Sequence, residues 1–204
     1  MGAALLFGLG NPGRRYEATR HNVGWQVLQE LARAEGAEFR PARFFEGLEA
    51  VARAGDRSVR LVLPTTFMNL CGPAYVRAIE VYEVAAQDAL VVLDDFMLPF
   101  GRLRFRDGGS SGGHNGLKSI EGALARADYP RLRVGIGPVP AQHDPKGFVL
   151  EPYDPEQKKA LPQVLARSVE ALRVWLASGL GAASNRFNAP PEPPESPPPA
   201  KTSP

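Results

Sequence analysis

Three histidines occur in the 204 residues, and two stand in polar loops beside an asparagine, as His21-Asn22 and His114-Asn115. Imidazole titrates near neutral pH, so His21 is a candidate general base as well as an ordinary loop hydrogen-bonder, while His114 stands in a glycine-rich loop that lets small polar groups approach a ligand closely. Asp94 closes the apolar run at residues 89–93. A carboxylate there can orient such a base and stabilise its protonated form, or it can cap a turn. Asn11, Asn69 and Asn115 offer neutral donors and acceptors, suited to hold a carbonyl, a water or an amide without competing for a proton. Each of them, taken singly, is also a common turn residue.

Two further chemistries are tested by spacing. GLGNPG, from Gly8 to Gly13, fits the dinucleotide pattern G-x-G-x-x-G and follows a strand-like run. In that motif a helix opens within the glycines, so that its N-terminus meets the pyrophosphate. Here Pro12 restricts Asn11 to extended geometry, and no helical apolar stripe begins before about Asn22. The spacing argues against a nicotinamide site. Asp94, Asp95 and the histidines are metal-ligand types, but there is no H-x-x-x-H, no H-E-x-x-H and no cysteine cluster. No metal and no cofactor are expected.

The elements that must carry these residues can be read from periodicity. Residues 3–9 form a short buried strand, and Val23, Val27, Leu28 and Leu31 recur at helical spacing until Gly36. Residues 48–53 and 59–63 read as a strand pair turning at Gly55-Asp56, and Pro73 suits the first turn of a helix reaching Tyr82. Residues 89–93 are a central strand ending in Asp94-Asp95, and residues 102–106 alternate arginine with Leu103 and Phe105 as a half-exposed strand. Five glycines in residues 107–116 demand a loop, followed by a helix marked by Leu117, Ile120, Leu124 and Ala127, and a strand marked by Leu132, Val134 and Ile136. Residues 138–145 form a loop able to act as a lid. Asp154, Pro155 and Gln157 spell a capped helix start, Leu161 to Leu176 its stripe, Gly179 its stop, and Pro162 a shifted start or kink. Strands alternating with helices predict one α/β domain with a twisted mixed sheet, whose ligands gather at strand carboxyl ends.

Composition sets the bounds. Hydrophobic residues at 44% and charged residues at 23% describe a chain able to bury a core, and there is no apolar run long enough to span a membrane. One cysteine, Cys71, allows no intrachain disulfide, which fits a reducing cytoplasm. Eight of the 20 prolines fall in residues 190–204, a low-complexity stretch expected to be an extended, disordered tail. The net charge of +2 conceals a segment, residues 101–133, that carries seven bases against three acids. A local basic field on a nearly neutral chain suits a polyanion on one face, and equally a solvated strand and helix.

Taken in order along residues 5–150, the runs GLGNPGRRYEATRHNVG, PTTFMN, LDDFMLP, GGSSGGHNGLKSI, RLRVGIG and GFVL resemble the bacterial-type peptidyl-tRNA hydrolase family. A terminal helix ending near Asn185-Arg186 also fits. The proline-rich tail has no place in the family pattern, and Cys71 stands where a small residue, often serine, is usual. The resemblance implies a monomeric, metal-independent esterase of one α/β domain, expected over residues 1–188; composition adds the tail, residues 189–204, and the single cysteine a cytoplasmic setting. Its substrate would be the ester joining a peptide to the ribose of tRNA, without membrane involvement. Position by position, His21 resembles the catalytic base, Asp94 the residue that stabilises its proton-accepting form, and Asn11 the residue that recognises the blocked, amide-bearing substrate. Tyr16, Phe67, Asn69 and Asn115 resemble contacts to the substrate and the tRNA 3′ end, and Met68 part of an apolar wall. Arg104, Arg106 and Arg133 then become phosphate contacts along the acceptor arm, with Lys118 and Lys146 as additions. Two rival classes stand beside this one: a dinucleotide-binding oxidoreductase resting on GLGNPG, and a non-catalytic RNA-binding module resting on the basic segment.

Overall fold

A computed structural model describes residues 4–54 and 57–189. The expected turn at Gly55-Asp56, the first residue of the expected opening strand and the tail from residue 190 onward lie outside the described residues. Among the described residues, seven strands form one mixed sheet in the order β2-β3-β4-β1-β5-β7-β6. They are β1 (Ala4–Gly8), β2 (Arg40–Pro41), β3 (Gly47–Ala54), β4 (Arg57–Pro64), β5 (Ala89–Pro99), β6 (Leu103–Arg106) and β7 (Arg131–Gly137). β1 runs parallel to both its neighbours, β4 and β5, and β5 runs parallel to β7. The β2–β3, β3–β4 and β6–β7 pairs are antiparallel.

Period-two alternation splits the core into two layers. Ala4 and Leu6 of β1 face a cluster shared with α1 (Val23–Ala34) and α5 (Pro155–Phe187). Leu5 and Phe7 face the other cluster, built with α2 (Gly72–Val81) and α3 (Asn115–Leu124). A fifth, short helix, α4 (Pro145–Val149), follows the loop after β7, with Asp144 accepting from the N–H groups of Lys146 and Gly147 as its cap. The chain thus leaves β1 toward one face of the sheet and β4 toward the other. The crevice between such connections, at the carboxyl ends of β1 and β5, is where open α/β sheets bind ligands.

Local detail departs from the sequence expectations at four points. β5 does not stop at Leu93 but continues through Asp94 and Asp95 to Pro99, with a register shift after Asp95 where its pairing with β7 resumes at Gly137. The carboxylates therefore sit within a central strand. α3 ends at Leu124 because Ala125 adopts a left-handed φ of 56°, which leaves Ala127 outside the helix. In α5, Gly179 breaks helical geometry (φ 78°, ψ −179°), yet a second helical segment carries on to Phe187. Pro162 lies inside that helix without breaking it. The carbonyl it leaves without a donor belongs to Lys158, on an exposed face where water can serve it. The start is held instead by Asp154 and Gln157, whose side chains cap each other's backbone N–H groups.

Candidate active site

The loop after β1 and the turn before α1 are tied together by two asparagines. Asn22 Oδ1 accepts from the Asn11 N–H, and Asn22 Nδ2 donates to the Asn11 carbonyl, both at 2.9 Å. Asn22, nearly inaccessible to solvent, therefore does for the loop what a strand partner would do. The adjoining turn (Arg20–Asn22) is a single 3-10 turn, and its Arg20 is buried. The Arg20 guanidinium lies over the Phe148 ring at 4.1 Å, donates to the Phe148 carbonyl at 3.3 Å and to Gln157 Oε1 at 3.2 Å, and pairs with Glu151 at 3.5 Å. This locks the turn carrying His21 to α4 and to the start of α5. Gly24 completes the placement. A Cβ there would strike the carbonyls of Leu9 and Val92, so α1 can lie against β1 and β5 only with glycine at that point.

His21 and Asp94, 73 residues apart, meet: Nδ1 of His21 donates to Asp94 Oδ1 at 2.8 Å. That commits the ring to one tautomer and leaves Nε2 as the basic nitrogen. Burial alone would push the His21 pKa down, but the Asp94 charge and hydrogen bond outweigh it, so it lies above the ordinary 6.5. Asp94 is fully enclosed, which by itself would raise its pKa; the imidazoles of His21 and His114 instead hold it well below the usual carboxylate range.

His114 is the partner that sequence reading did not assign. Its Nε2 lies 3.0 Å from the same Asp94 oxygen, and its ring centroid is 5.0 Å from that of His21. On its other side, Nδ1 accepts from the N–H groups of Gly116 and Leu117 at 3.1 and 3.4 Å, capping α3. Since Nδ1 accepts, the proton must sit on Nε2, and His114 donates to Asp94. Nothing in the sequence spacing links positions 21, 94 and 114. The loop glycines around His114 were the available signal, because they free the backbone to place a side chain closely. Arg20 was also missed, having no motif around it.

Asn11 Oδ1 accepts from the Met68 N–H at 2.8 Å. Its amide NH2 is therefore the group it presents to the cavity that it lines. This cavity, of about 450 Å³, is bordered by His21, Asp94 and His114 at its base, and by Tyr16, Phe67, Met68, Asn69 and Asn115 around them. α4 contributes Lys146, Val149 and the adjoining Leu150, and Asp144 caps the same rim. Phe67 and Leu150, 48% and 44% exposed, give the mouth an apolar edge. Cys71 is buried away from it, with its thiol pushed up to about 12 by burial, so it is no nucleophile at neutral pH.

Arg104, Arg106 and Arg133 do not line the cavity. Arg104 and Arg106 project from the exposed face of β6 at the sheet edge, and Arg133 is the cross-strand neighbour of Arg104. Arg133 also pairs with Asp95 at 3.1 Å, off the line of an N–H hydrogen bond. The basic field is smaller than the sequence count suggests. Arg131 is buried, holding the carbonyls of Ser110 and Ala127 and so bracing the glycine loop. Arg126 pairs with Asp128, and Arg102 turns to the carbonyl of Asn188. Arg104, Arg106 and Lys118 remain exposed.

His21, Asp94 and His114 also fall within the spacing of a metal-ligand set, their ligand atoms lying within 4.8 Å of one another. Their donor chemistry fits poorly. Both histidine nitrogens nearest Asp94 carry the protons that make its hydrogen bonds, and a metal would have to displace both.

The Peptidyl-tRNA hydrolase family model matches residues 5–195 of this chain. Peptidyl-tRNA hydrolase from Chloroflexus aggregans is 45% identical over 185 residues, covering 90% of this chain and 98% of that protein. The Symbiobacterium thermophilum peptidyl-tRNA hydrolase is 45% identical over 188 residues, covering 91% and 99%. A crystal structure of peptidyl-tRNA hydrolase from Acinetobacter baumannii superposes with a TM-score of 0.85 at 30% identity, over 92% of this chain and 95% of that one. With its fold and most of its sequence matched, the chain belongs to the peptidyl-tRNA hydrolase family.

Proposed function

We propose that this chain hydrolyses the ester between a peptide, or an N-blocked amino acid, and the 3′ ribose of tRNA, with His21 as general base. The observation that carries this reading is an imidazole oriented by Asp94 with its Nε2 directed to a cavity that also holds the Asn11 amide. His21 Nε2 takes a proton from water as the oxygen attacks the ester carbonyl. The imidazolium, stabilised by Asp94, returns the proton to the departing 3′ oxygen, giving tRNA with a free 3′ hydroxyl and a peptide carboxylic acid that loses its own proton to water. An alkoxide leaves more readily than an amine, so an ester asks for no serine nucleophile.

Asn11 Nδ2 donates to a carbonyl of the amide that only a blocked substrate presents, while a free α-ammonium finds no acceptor there. Asn69 and Asn115 support the developing oxyanion or the water. Tyr16, Phe67 and Met68 pack the terminal nucleotide and the first peptide side chains. Arg104, Arg106 and Arg133, with Lys118 and Lys146, meet phosphates of the acceptor arm. A translational substrate implies a cytoplasmic site of action, and the complete set of groups on one chain suits a monomer. Neither rival finds support. α1 starts at Val23, ten residues beyond Gly13, so no helix N-terminus meets a pyrophosphate at the glycines. A passive RNA-binding module needs no buried His–Asp pair. The deciding assay is release of free tRNA from N-acetylaminoacyl-tRNA by the purified chain. Binding without release would reject catalysis.

A further inference from the structure

β6 ends the sheet, and among the described residues only β7 pairs with it as a strand. A four-residue strand bound on one side should leave the other row of backbone groups open to water or to another chain. Here those groups at Phe105 are occupied. The Phe105 N–H donates to Asn188 Oδ1 at 2.6 Å, and Asn188 Nδ2 donates to the Phe105 carbonyl at 3.2 Å. One carboxamide thus replaces a neighbouring strand residue, offering an acceptor and a donor side by side. Two contacts hold it in place: the Arg102 guanidinium donates to the Asn188 carbonyl, and the Phe187 ring meets the Phe105 ring edge-on at 6.5 Å. Arg104 and Arg106 flank Phe105 on this strand and project from its opposite, exposed face.

We infer that Asn188 is a positioning residue for tRNA: by closing the free edge of β6 it holds Arg104 and Arg106 together on one exposed face before the phosphate backbone arrives. This rests on the proposed function above and assigns the end of α5 a part in binding the tRNA body. A frayed strand would have to be ordered at each encounter, and that cost appears as weaker binding rather than slower chemistry.

The test compares Asn188→Ala with Asn185→Ala, an exposed neighbour on the same helix segment. Three readouts are taken: amide exchange at Phe105 by NMR, Kd for deacylated tRNA, and kinetics on N-acetylaminoacyl-tRNA against a short ester lacking the tRNA body. Asn188→Ala is expected to expose the Phe105 amide to exchange and to raise Kd and KM for the tRNA forms about 3- to 10-fold. Its effect should be confined to those forms, and Asn185→Ala should match the parent. Equal losses on both substrates, or an unchanged Kd with Phe105 exchanging freely, would overturn the inference. If Asn188→Ala does not fold, Asn188→Asp is measured with the same expectation, since it sets a second oxygen against the Phe105 carbonyl. Failure of the parent to hydrolyse tRNA esters would sink the functional reading alone; the exchange and Kd readouts would still decide the role of Asn188. A parent that does not bind tRNA would sink both.

Discussion

His21 and Asp94 act as one unit, and their variants should behave accordingly. His21→Ala is expected to lower kcat by roughly 10² to 10⁴-fold with less effect on KM, the usual worth of a general base. Asp94→Asn should be slow but not dead, and the double variant little worse than His21→Ala, because groups acting through one another do not add. The pH profile tests the same pair. Catalysis needs neutral His21, so kcat/KM rises with pH through a His21 pKa that lies above 6.5. Removing the Asp94 charge leaves the burial penalty unopposed, which should move that rising limb to lower pH. Linkage runs in the same direction. The raised His21 pKa contributes stability that is fully present below the unfolded value and is lost as pH climbs through the folded one. Additive losses in the double variant, or an unmoved limb in Asp94→Asn, would reduce Asp94 to a strand residue.

At the scale of elements, α1 sets the height of the turn that carries His21, and Gly24 is where that height is decided. Gly24→Ala places a methyl against the carbonyls of Leu9 and Val92, so helix and strand must part. Overpacking of this kind costs about 1–3 kcal/mol. Because the rigid turn moves with the helix, both Tm and kcat should fall; a lower Tm with kcat intact would mean that the turn is held by Arg20 and Asn22 alone. β6 is a separate unit with a separate task. Replacing Arg104 and Arg106 by glutamate should raise KM for tRNA substrates and lower the slope of log binding constant against log salt by about 2. A short ester should be hydrolysed almost as before. Equal damage to both substrates would show that β6 serves the sheet rather than the RNA.

Across the whole molecule, the crevice at the carboxyl ends of β1 and β5 collects groups from six separate stretches of chain: the loop after β1, the turn before α1, the segment around Met68, β5, the glycine loop before α3 and the stretch from Asp144 through α4 to Leu150. A site so dispersed fails cooperatively on unfolding and has no local half to survive. The imidazole nitrogens of His21 and His114 that face Asp94 already hold protons in hydrogen bonds to its Oδ1, so EDTA should leave activity unchanged. Full loss in EDTA with recovery on adding zinc would show that a metal displaces the His21 and His114 protons facing Asp94 into solvent and is held by the three residues instead.

Much of this was legible in the sequence because its physical cause is local. Alternation in β6, the capping box before α5 and the apolar run of β5 are each set by neighbours within a turn or two, and the family resemblance travels with contiguous runs such as GLGNPG and PTTFMN. His21, Asp94 and Asn11 could be named from residue type and strand-end position. Their geometry could not, since contact between positions 21 and 94 depends on β1 and β5 lying side by side and parallel. The same long-range pairing decided what propensity misjudged: β5 runs on to Pro99 because β7 is there to bond it, and Gly179 bends α5 instead of ending it because Phe187 has Phe105 to pack against. It also divided seven bases of one sign into a buried brace, paired groups and an exposed few: Arg104, Arg106, Arg131 and Arg133 share one face of the sheet, and only Arg131 is buried there, held under the carbonyls of Ser110 and Ala127. The residue types that can do the chemistry are written in the sequence. Which imidazole is oriented, which amide donates and which arginines reach solvent follow from packing between segments far apart in the chain, and only the tertiary structure decides them.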